Sequence, residues 1–286
     1  IVYDQKTWRI AGEWLDEKRL NVLLGLIEAK NAESPYLNKT REDFLDSLGM
    51  TRDDGDDVLP TTTGILFIGN QNALRELPYY EVKYIHYFAD GTYKPYEYKG
   101  NIVEAAKRCF AQLKAEIRQT EYVFGLFREY VEDYSEIVIR ELLINALAHR
   151  SLSRQQVVEI RKYDDGGYLE IESPGTFPEG VTTENYLRKT NPRNPNVMDI
   201  LREIGLAEKA GSGFDKIFTD LLKKGKSLPE PEETESSVIF RIKSNVVCEK
   251  LIELSLQYES QVGKPMKLDE LLVLSEVIHH KQVKVA

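Results

Sequence analysis

The stretch "RELLINALAHR", Arg140 to Arg150, decides how the central part of this chain folds. Apolar residues surround nearly every side of it, which predicts a helix buried inside the protein. Glu141, Asn145 and His149 fall at i, i+4 and i+8, so their side chains stack along one face of that helix. Because burying an unpaired polar group is costly, this polar column needs partners.

Two interpretations of the polar column remain open from the helix alone. A deeply placed Glu141 can act as a general base toward water, and the Asn145 amide oxygen one turn later can coordinate Mg²⁺. The column would then face a metal-bound phosphate group. Alternatively, both side chains simply hydrogen-bond to neighbouring loop backbone, as most buried polar groups do.

A second element lies further along the chain, in "AGSGFDKI". Gly211 and Gly213 stand just before a predicted helix, where small residues let backbone amides and the positive end of the helix dipole approach an anion. An ordinary turn is the alternative. Since this segment follows the polar helix and a hairpin, a nucleotide could lie between them with its phosphates reaching both.

The composition limits the class of protein. With 286 residues, 42% of them hydrophobic, the chain has enough apolar material for two or three modest domains. No apolar run approaches the roughly 18 residues that span a bilayer, and the opening lacks the pattern of an export signal. Cys109 and Cys248 lie far apart without a CxxC pattern, so we expect a cytoplasmic protein with neither a disulfide framework nor a zinc site.

The N-terminal half divides into two predicted regions. Residues 1–55 form a helical segment of two helices, with Thr40 as the N-cap of the second. Residues 56–130 form a small β-rich region in which "TTTGILFIG" and two strands around a "DG" turn make one small sheet. The amphipathic helix "NIVEAAKRCFAQLKAEIRQ" then connects this region to the next.

Residues 131–245 predict an α/β (α+β) layer domain. A helix begins near Asp133, a hairpin turns at "DDGG", and Asn194 caps a helix whose first residue is Pro195. "KKGKSLPEPEETE" is a loop or hairpin arm, and "SSVIFRI" closes the domain as a strand. Residues 246–286 predict two helices that could open a winged helix. Because the chain begins without methionine and ends inside an element, we expect it to be part of a longer protein.

Four ordered motifs carry a specific resemblance. "RELLINALAHR", "LEIESPGTFPEGVTTEN", "PRNP" and "AGSGFDKI" resemble the divergent histidine-kinase-type ATPase domain of the GHKL class, found in transcriptional regulators often labelled ATP-dependent DNA helicase RecG-related. The resemblance covers residues 55–245, including "LPTTTGILFIGN". It implies a GHKL-like two-layer sandwich of a mixed sheet with helices, which in this family usually follows a Schlafen-type AlbA-like domain and often precedes a winged helix.

The resemblance also implies roles for residues of the polar helix. Glu141 matches the catalytic base of the family's N box, and Asn145 matches its Mg²⁺ ligand. His149 and Arg150 match the family's own "HR" extension. The cofactors implied are therefore ATP and Mg²⁺, with His149 beside the nucleotide.

Further matches lie on three loops. Gly175 matches the glycine of the adenine-side loop, and Gly211 and Gly213 match the phosphate-side loop. Arg193 and Asn194 lie in the lid segment. For both residues an ordinary helix start, capped at Asn194, is the alternative, because an Asn-Pro pair is a common helix start.

One position departs from the family pattern. GHKL ATPases usually present an Asp to the adenine amino group two residues before the loop glycine, and Ser173 stands there in this chain. In the strand "YLEIES", Leu169, Ile171 and Ser173 share one face, whereas Glu170 and Glu172 point the other way. Base recognition then rests on a hydroxyl, on water or on another residue.

A P-loop motor is excluded. "DLLKKGKS" ends like a Walker A loop, but Asp220 occupies the position of its first glycine. The segment also follows a helix, whereas a P-loop follows a strand and opens a helix.

Together with the polar helix, the resemblance implies a nucleotide-responsive transcriptional regulator that binds Mg-ATP and hydrolyses it slowly or not at all. The alternative is a degenerate scaffold that binds no nucleotide and serves protein assembly or the positioning of a DNA reader. The net charge of -9, with 47 acidic against 38 basic residues, does not favour binding to the negatively charged backbone of duplex DNA. We therefore expect DNA contact through flanking domains, no membrane partner, and a homodimer as one assembly open to the chain.

Overall fold

A computed structural model describes residues 3–55, 57–77, 79–186, 191–208 and 212–280. Two short 3-10 turns, Tyr3–Gln5 and Pro35–Asn38, accompany the regular elements. The helices are α1 Glu17–Lys30, α2 Arg41–Ser47, α3 Thr62–Ile68, α4 Gln71–Leu74, α5 Ile102–Ala115, α6 Glu136–His149, α7 Pro195–Glu203, α8 Ser212–Lys223, α9 Glu249–Val262 and α10 Leu268–His280. The strands are β1 Thr51–Asp54, β2 Asp57–Pro60, β3 Val82–Tyr87, β4 Tyr93–Tyr98, β5 Gln119–Phe124, β6 Phe127–Glu132, β7 Val158–Tyr163, β8 Tyr168–Pro174, β9 Glu230–Glu233 and β10 Ser237–Lys243.

A six-stranded sheet in the order β4-β3-β7-β8-β10-β9 forms the centre of the protein. Only β3 and β7 pair in parallel, and the other neighbours in this sheet are antiparallel. Helices α5 and α6 pack on it, and α8 packs on α6. The predicted fold class, a GHKL-like two-layer arrangement of a mixed sheet with helices, is confirmed.

The prediction that β3 and β4 belong to a separate small sheet was wrong. β3 pairs with β7 from Val82 opposite Val158 to Tyr87 opposite Tyr163, so the central sheet continues across the predicted boundary at residue 131. A parallel partner lies far away in sequence and leaves no local signal, because the crossover connection separates the two strands.

Apolar and charged side chains alternate along the strands and lie on opposite faces of the sheet, as predicted. Val158 and Ile160 of β7 are buried toward the helices. On the opposite face Arg161 lies between carboxylates, 2.9 Å from Glu159, 3.2 Å from Glu170 and 2.6 Å from Glu172. The charged residues on this face therefore satisfy one another, while Val158 and Ile160 join the apolar core on the other face.

The predicted strand "TTTGILFIG" is the helix α3, so this prediction was wrong. The Thr61 side chain accepts a hydrogen bond from Gly64 N at 3.1 Å and caps the helix. A β-carbon at Gly64 would lie 2.2 Å from the Met50 carbonyl oxygen, so the helix packs closely on the chain before it. All residues of α3 are buried, and this packing overrides the strand preference of the threonines and isoleucines.

Helix α6 begins slightly later than predicted. Its N-cap is Ser135, whose hydroxyl accepts from Val138 N at 3.4 Å. Asp133 instead accepts from Arg118 N at 2.9 Å and Tyr134 N at 2.8 Å, so its carboxylate closes the end of the β5–β6 hairpin.

Several further elements agree with the sequence predictions. Thr40 caps α2, the "DDGG" hairpin joins β7 to β8, and β9 is the hairpin arm of β10. The two predicted C-terminal helices are α9 and α10, while the winged helix stays a prediction. Within the described ranges no helix combines the length and the apolar character needed to cross a bilayer.

Candidate functional site

The polar side chains of the α6 column face a single cavity. Glu141, Asn145 and His149 all line it, on the side where α6 faces α8 and the end of β8. Glu141 is 3% exposed, and the other two side chains are half-buried. The spacing of i, i+4 and i+8 thus brings all three side chains to the same space.

Glu141 has a pairing that the sequence did not indicate. Its Oε1 accepts a hydrogen bond from Arg140 Nη2 at 2.6 Å. Burial raises the pKa of the Glu141 carboxyl, Arg140 and Lys216 act to lower it, and Glu208 acts to raise it further. A carboxyl whose pKa lies above its ordinary value is a stronger base, which suits proton abstraction from water.

Asn145 and His149 present uncharged polar groups to the same cavity. Within the described part of the chain, no side chain or backbone group forms a hydrogen bond with the Asn145 amide, so its oxygen is available to a ligand. Burial lowers the pKa of His149 to about 4, and the positive charges of Arg193 and Arg202 act in the same direction. His149 is therefore neutral at physiological pH.

The start of α8 lies directly against the polar column. A β-carbon at Gly213 would lie 3.2 Å from Glu141 Oε2 and 3.9 Å from Asn145 Nδ2. A glycine here leaves space between the helix start and the two polar side chains. Gly211, the other predicted phosphate-side glycine, lies outside the described residues.

The end of β8 forms the opposite edge of the cavity, which Ser173 and Gly175 line. Ser173 Oγ donates to the Ala146 carbonyl oxygen at 2.9 Å, which places this side chain on the α6 side of the sheet as predicted. Because its proton is used in this bond, the hydroxyl can present only its lone pairs to a ligand. Gly175 has φ +96°, and a β-carbon there would lie 2.8 Å from Ser151 Cβ, so glycine is required for both reasons.

The two predicted lid residues are not among the described residues that line the cavity. Asn194 is the N-cap of α7 by position, but its side chain makes no capping hydrogen bond. Its Nδ2 instead donates to the carbonyl oxygens of Ala148 at 2.9 Å and Arg150 at 2.8 Å. Arg193 donates to the Thr176 carbonyl oxygen. Both side chains thus fasten the loop before α7 to its surroundings.

An aromatic wall, which the sequence analysis missed, completes the cavity. Ring centroids are 6.2 Å apart for Phe177 and Tyr186, 4.9 Å for Tyr186 and Phe214, and 5.6 Å for Phe214 and Phe240. These four residues come from two loop positions, from α8 and from β10. Since they share no local spacing, only the tertiary fold brings them together.

The cavity suits a small planar ligand with a polar tail. Its volume is about 150 Å³, which is room for about five water molecules. Aromatic and apolar side chains line one part, and the α6 column lines another. Within the described ranges no three His, Cys, Asp or Glu side chains cluster as metal ligands. A Mg²⁺ ion here would take few protein ligands and mainly phosphate oxygens, as is usual for this ion.

Residues 155–242 match the model of a family described as "Putative ATP-dependent DNA helicase recG C-terminal". The match supports a RecG-related, ATPase-like family for this part of the chain. It includes the positions of Ser173, Gly175 and Gly213 but begins after α6, so the roles of Glu141 and Asn145 stay predictions. Residues 9–83 match the model of a domain of unknown function, a range that crosses the predicted boundary at residue 55.

A crystal structure of the DIP2311 protein from Corynebacterium diphtheriae shares the fold. The TM-score is 0.72 at 19% sequence identity, over 97% of this chain and 55% of that one. The chain thus spans about half the length of this structural relative. Comparison with curated proteins found no match.

Proposed function

We propose that the cavity between α6, α8 and the end of β8 binds an adenine nucleotide with Mg²⁺, and that this binding regulates a larger DNA-associated protein. The single observation that supports it best is the convergence of Glu141, Asn145 and Gly213 beside an aromatic wall in one cavity. The match of residues 155–242 to an ATPase-like family supports the same ligand class. Transcriptional regulation and DNA contact through flanking domains belong to this proposal.

The residues of the cavity fit the two ends of such a nucleotide. The Ser173 hydroxyl donates its proton to the Ala146 carbonyl oxygen. Toward a ligand, its oxygen can therefore accept a hydrogen bond but cannot donate one. Adenine offers an amino group as a donor, whereas guanine offers a carbonyl oxygen at the corresponding position. Ser173 therefore favours adenine with a weaker acceptor than the usual carboxylate.

At the phosphate end, Asn145 would supply an amide oxygen to Mg²⁺, and the start of α8 at Gly213 would face the phosphates. The bound ion would neutralise phosphate charge. The Glu141 carboxylate, whose pKa is raised by burial, lies beside this space. There it can orient a water molecule and accept its proton. Since Arg140 already pairs with Glu141 at 2.6 Å, we expect turnover to be slow.

The same contacts favour a second candidate, a scaffold that keeps the fold without binding nucleotide. The Glu141 carboxylate has Arg140 as a partner, and the Ser173 hydroxyl has the Ala146 carbonyl. Both groups are thus partly satisfied within the protein. In this case the domain would serve protein assembly or position a DNA reader.

Titration calorimetry of the full chain with ATP, ADP and GTP, each with and without Mg²⁺, separates the two candidates. We expect saturable binding of ATP that strengthens with Mg²⁺ and exceeds that of GTP. Phe214→Ala, which removes part of the aromatic wall, should weaken ATP binding, while Phe127→Ala on the β5–β6 hairpin, which is not among the residues that line the cavity, should not. Absence of heat with every nucleotide would favour the scaffold.

A further inference from the structure

Arg150 is a buried cation that the candidate nucleotide site does not use. It follows His149 directly, at the C-terminal end of α6, and it is 2% exposed. No carboxylate of the described residues forms an ion pair with it. A buried charge without a counter-charge is rare, because losing water around it is expensive.

Most of the hydrogen-bonding capacity of this guanidinium is unused. Nη2 donates to the carbonyl oxygens of Tyr79 at 2.8 Å and Gln156 at 2.6 Å. Nε and Nη1 have no acceptor, although a guanidinium carries five N–H donors. Burial lowers the pKa of Arg150 only to about 10, so the group stays charged at neutral pH.

The Arg150 side chain lies in the wall of a second cavity, separate from the nucleotide cavity. This effector cavity, as we call it, has a volume of about 270 Å³, which is room for about nine water molecules. Tyr80 shares the wall, and its buried hydroxyl also has no hydrogen-bond partner. Two residues that each carry an unsatisfied polar group therefore line the same cavity. Its other apolar and aromatic lining residues include Tyr3, Trp8, Leu66, Leu77, Tyr79 and Leu152.

The charges around the effector cavity favour a single negative charge on its occupant. Arg154 lines the cavity together with Arg150. Glu76 is the one carboxylate among the described lining residues, and it is exposed. Lys6 lies nearby, with its Nζ 3.7 Å from the centroid of the Trp8 ring. A monoanion would gain the attraction of the arginines with less repulsion from Glu76 than a phosphate dianion would suffer.

We propose that the effector cavity binds a small organic carboxylate with a planar apolar body. The carboxylate would accept hydrogen bonds from the free N–H groups of Arg150 and from the Tyr80 hydroxyl. The apolar body would lie against Trp8 and the other aromatic side chains. This site is distinct from the nucleotide cavity, so its test does not depend on nucleotide binding.

Benzoate serves as the probe, and Trp8 fluorescence serves as the readout. The experiment uses the full chain with the substitution Trp14→Phe, which leaves Trp8 as its only tryptophan. Titration at constant ionic strength compares benzoate with benzamide, which has the same shape without the charge, and with inorganic phosphate. We expect saturable binding of benzoate at least ten-fold tighter than that of either other compound.

Two variants locate the binding group. Arg150→Met should weaken benzoate binding at least ten-fold, whereas Arg241→Met, which removes an arginine paired with Glu170 outside this cavity, should leave it unchanged. Because Arg150→Met could unfold the chain, Ser153→Glu provides a second test. It places a carboxylate at an exposed position of the cavity wall and should also weaken benzoate at least ten-fold. Equal binding of benzoate and benzamide, equal binding of phosphate, or an unchanged affinity in Ser153→Glu would overturn the proposal.

Discussion

Gly213 and Glu141 approach so closely that a β-carbon on the glycine would lie 3.2 Å from the Glu141 Oε2 atom. The first turn of α8 and the middle of α6 therefore share one narrow space. Any side chain added at Gly213 must enter this gap.

Gly213→Ala should weaken ATP binding without weakening the fold. The added methyl group displaces Glu141 and narrows the gap, for which we expect a loss of affinity of roughly ten-fold, or about 1.4 kcal/mol. Alanine in a helix is favoured over glycine by up to about 1 kcal/mol, so the melting temperature should not fall. Calorimetry and thermal melting check both parts. Gly25→Ala is the matched control, because no atom lies within 4 Å of its added carbon in α1. Equal ATP affinity in the two variants would contradict the assignment.

Asn145→Ala should remove the dependence of ATP binding on Mg²⁺. The Asn145 amide oxygen is the proposed protein ligand of Mg²⁺. Its removal leaves the apolar core around α6 intact. Calorimetry with and without Mg²⁺ measures the effect. Asn145→Asp keeps an oxygen at the same position and should keep the dependence. If Asn145→Ala binds Mg-ATP as the unchanged chain does, Asn145 is not part of the site.

Glu141→Gln should preserve nucleotide binding and lower any hydrolysis by roughly 10²–10⁴-fold, the loss expected for a positioned base. The amide keeps the shape of the side chain but cannot accept a proton from water. A phosphate-release assay under saturating Mg-ATP provides the rate. Glu28→Gln, on the exposed face of α1, is the control for the loss of one carboxylate. The role of Glu141 as base is wrong if both variants hydrolyse ATP at the same rate.

His149 should make the folded state sensitive to acid. Its pKa is lowered from 6.5 to about 4 in the folded protein, so the unfolded chain binds more protons between these values. The stability contributed by neutral His149 is fully present above pH 6.5 and is lost as the pH falls toward 4, by up to ~3 kcal/mol.

Urea unfolding at several pH values between 4.5 and 7.5 tests this expectation. His149→Gln cannot titrate, so its stability should fall less over this window than that of the unchanged chain. Parallel pH profiles for the two proteins would show that His149 titrates normally in the fold.

The chain of residues 1–286 should bind duplex DNA no better than the non-specific range of roughly 10⁻⁴ to 10⁻⁶ M at physiological salt. Its 47 acidic residues outnumber its 38 basic ones, and the basic residues are dispersed among acids. A fluorescence titration at two salt concentrations measures the affinity and its salt slope. Salt-resistant nanomolar binding would move the DNA contact into the domains described above.

The amino-acid sequence alone determined the features that depend on neighbours along the chain. The i, i+4, i+8 spacing placed Glu141, Asn145 and His149 on one face of α6, and strand alternation placed Ser173 toward that helix. These features are local because helix and strand geometry fix side-chain direction within a few residues. Turn residues likewise located the hairpin between β7 and β8.

The tertiary structure alone decided which distant segments meet. The parallel pairing of β3 with β7, the helical state of "TTTGILFIG" and the aromatic wall all arise from contacts between residues far apart in sequence. The same is true of the two donors of Arg150 that lack acceptors, because the sequence cannot show whether a neighbouring segment supplies a carboxylate. Burial is a property of the whole packed chain, and local patterns therefore predict the direction of a side chain but not its partners.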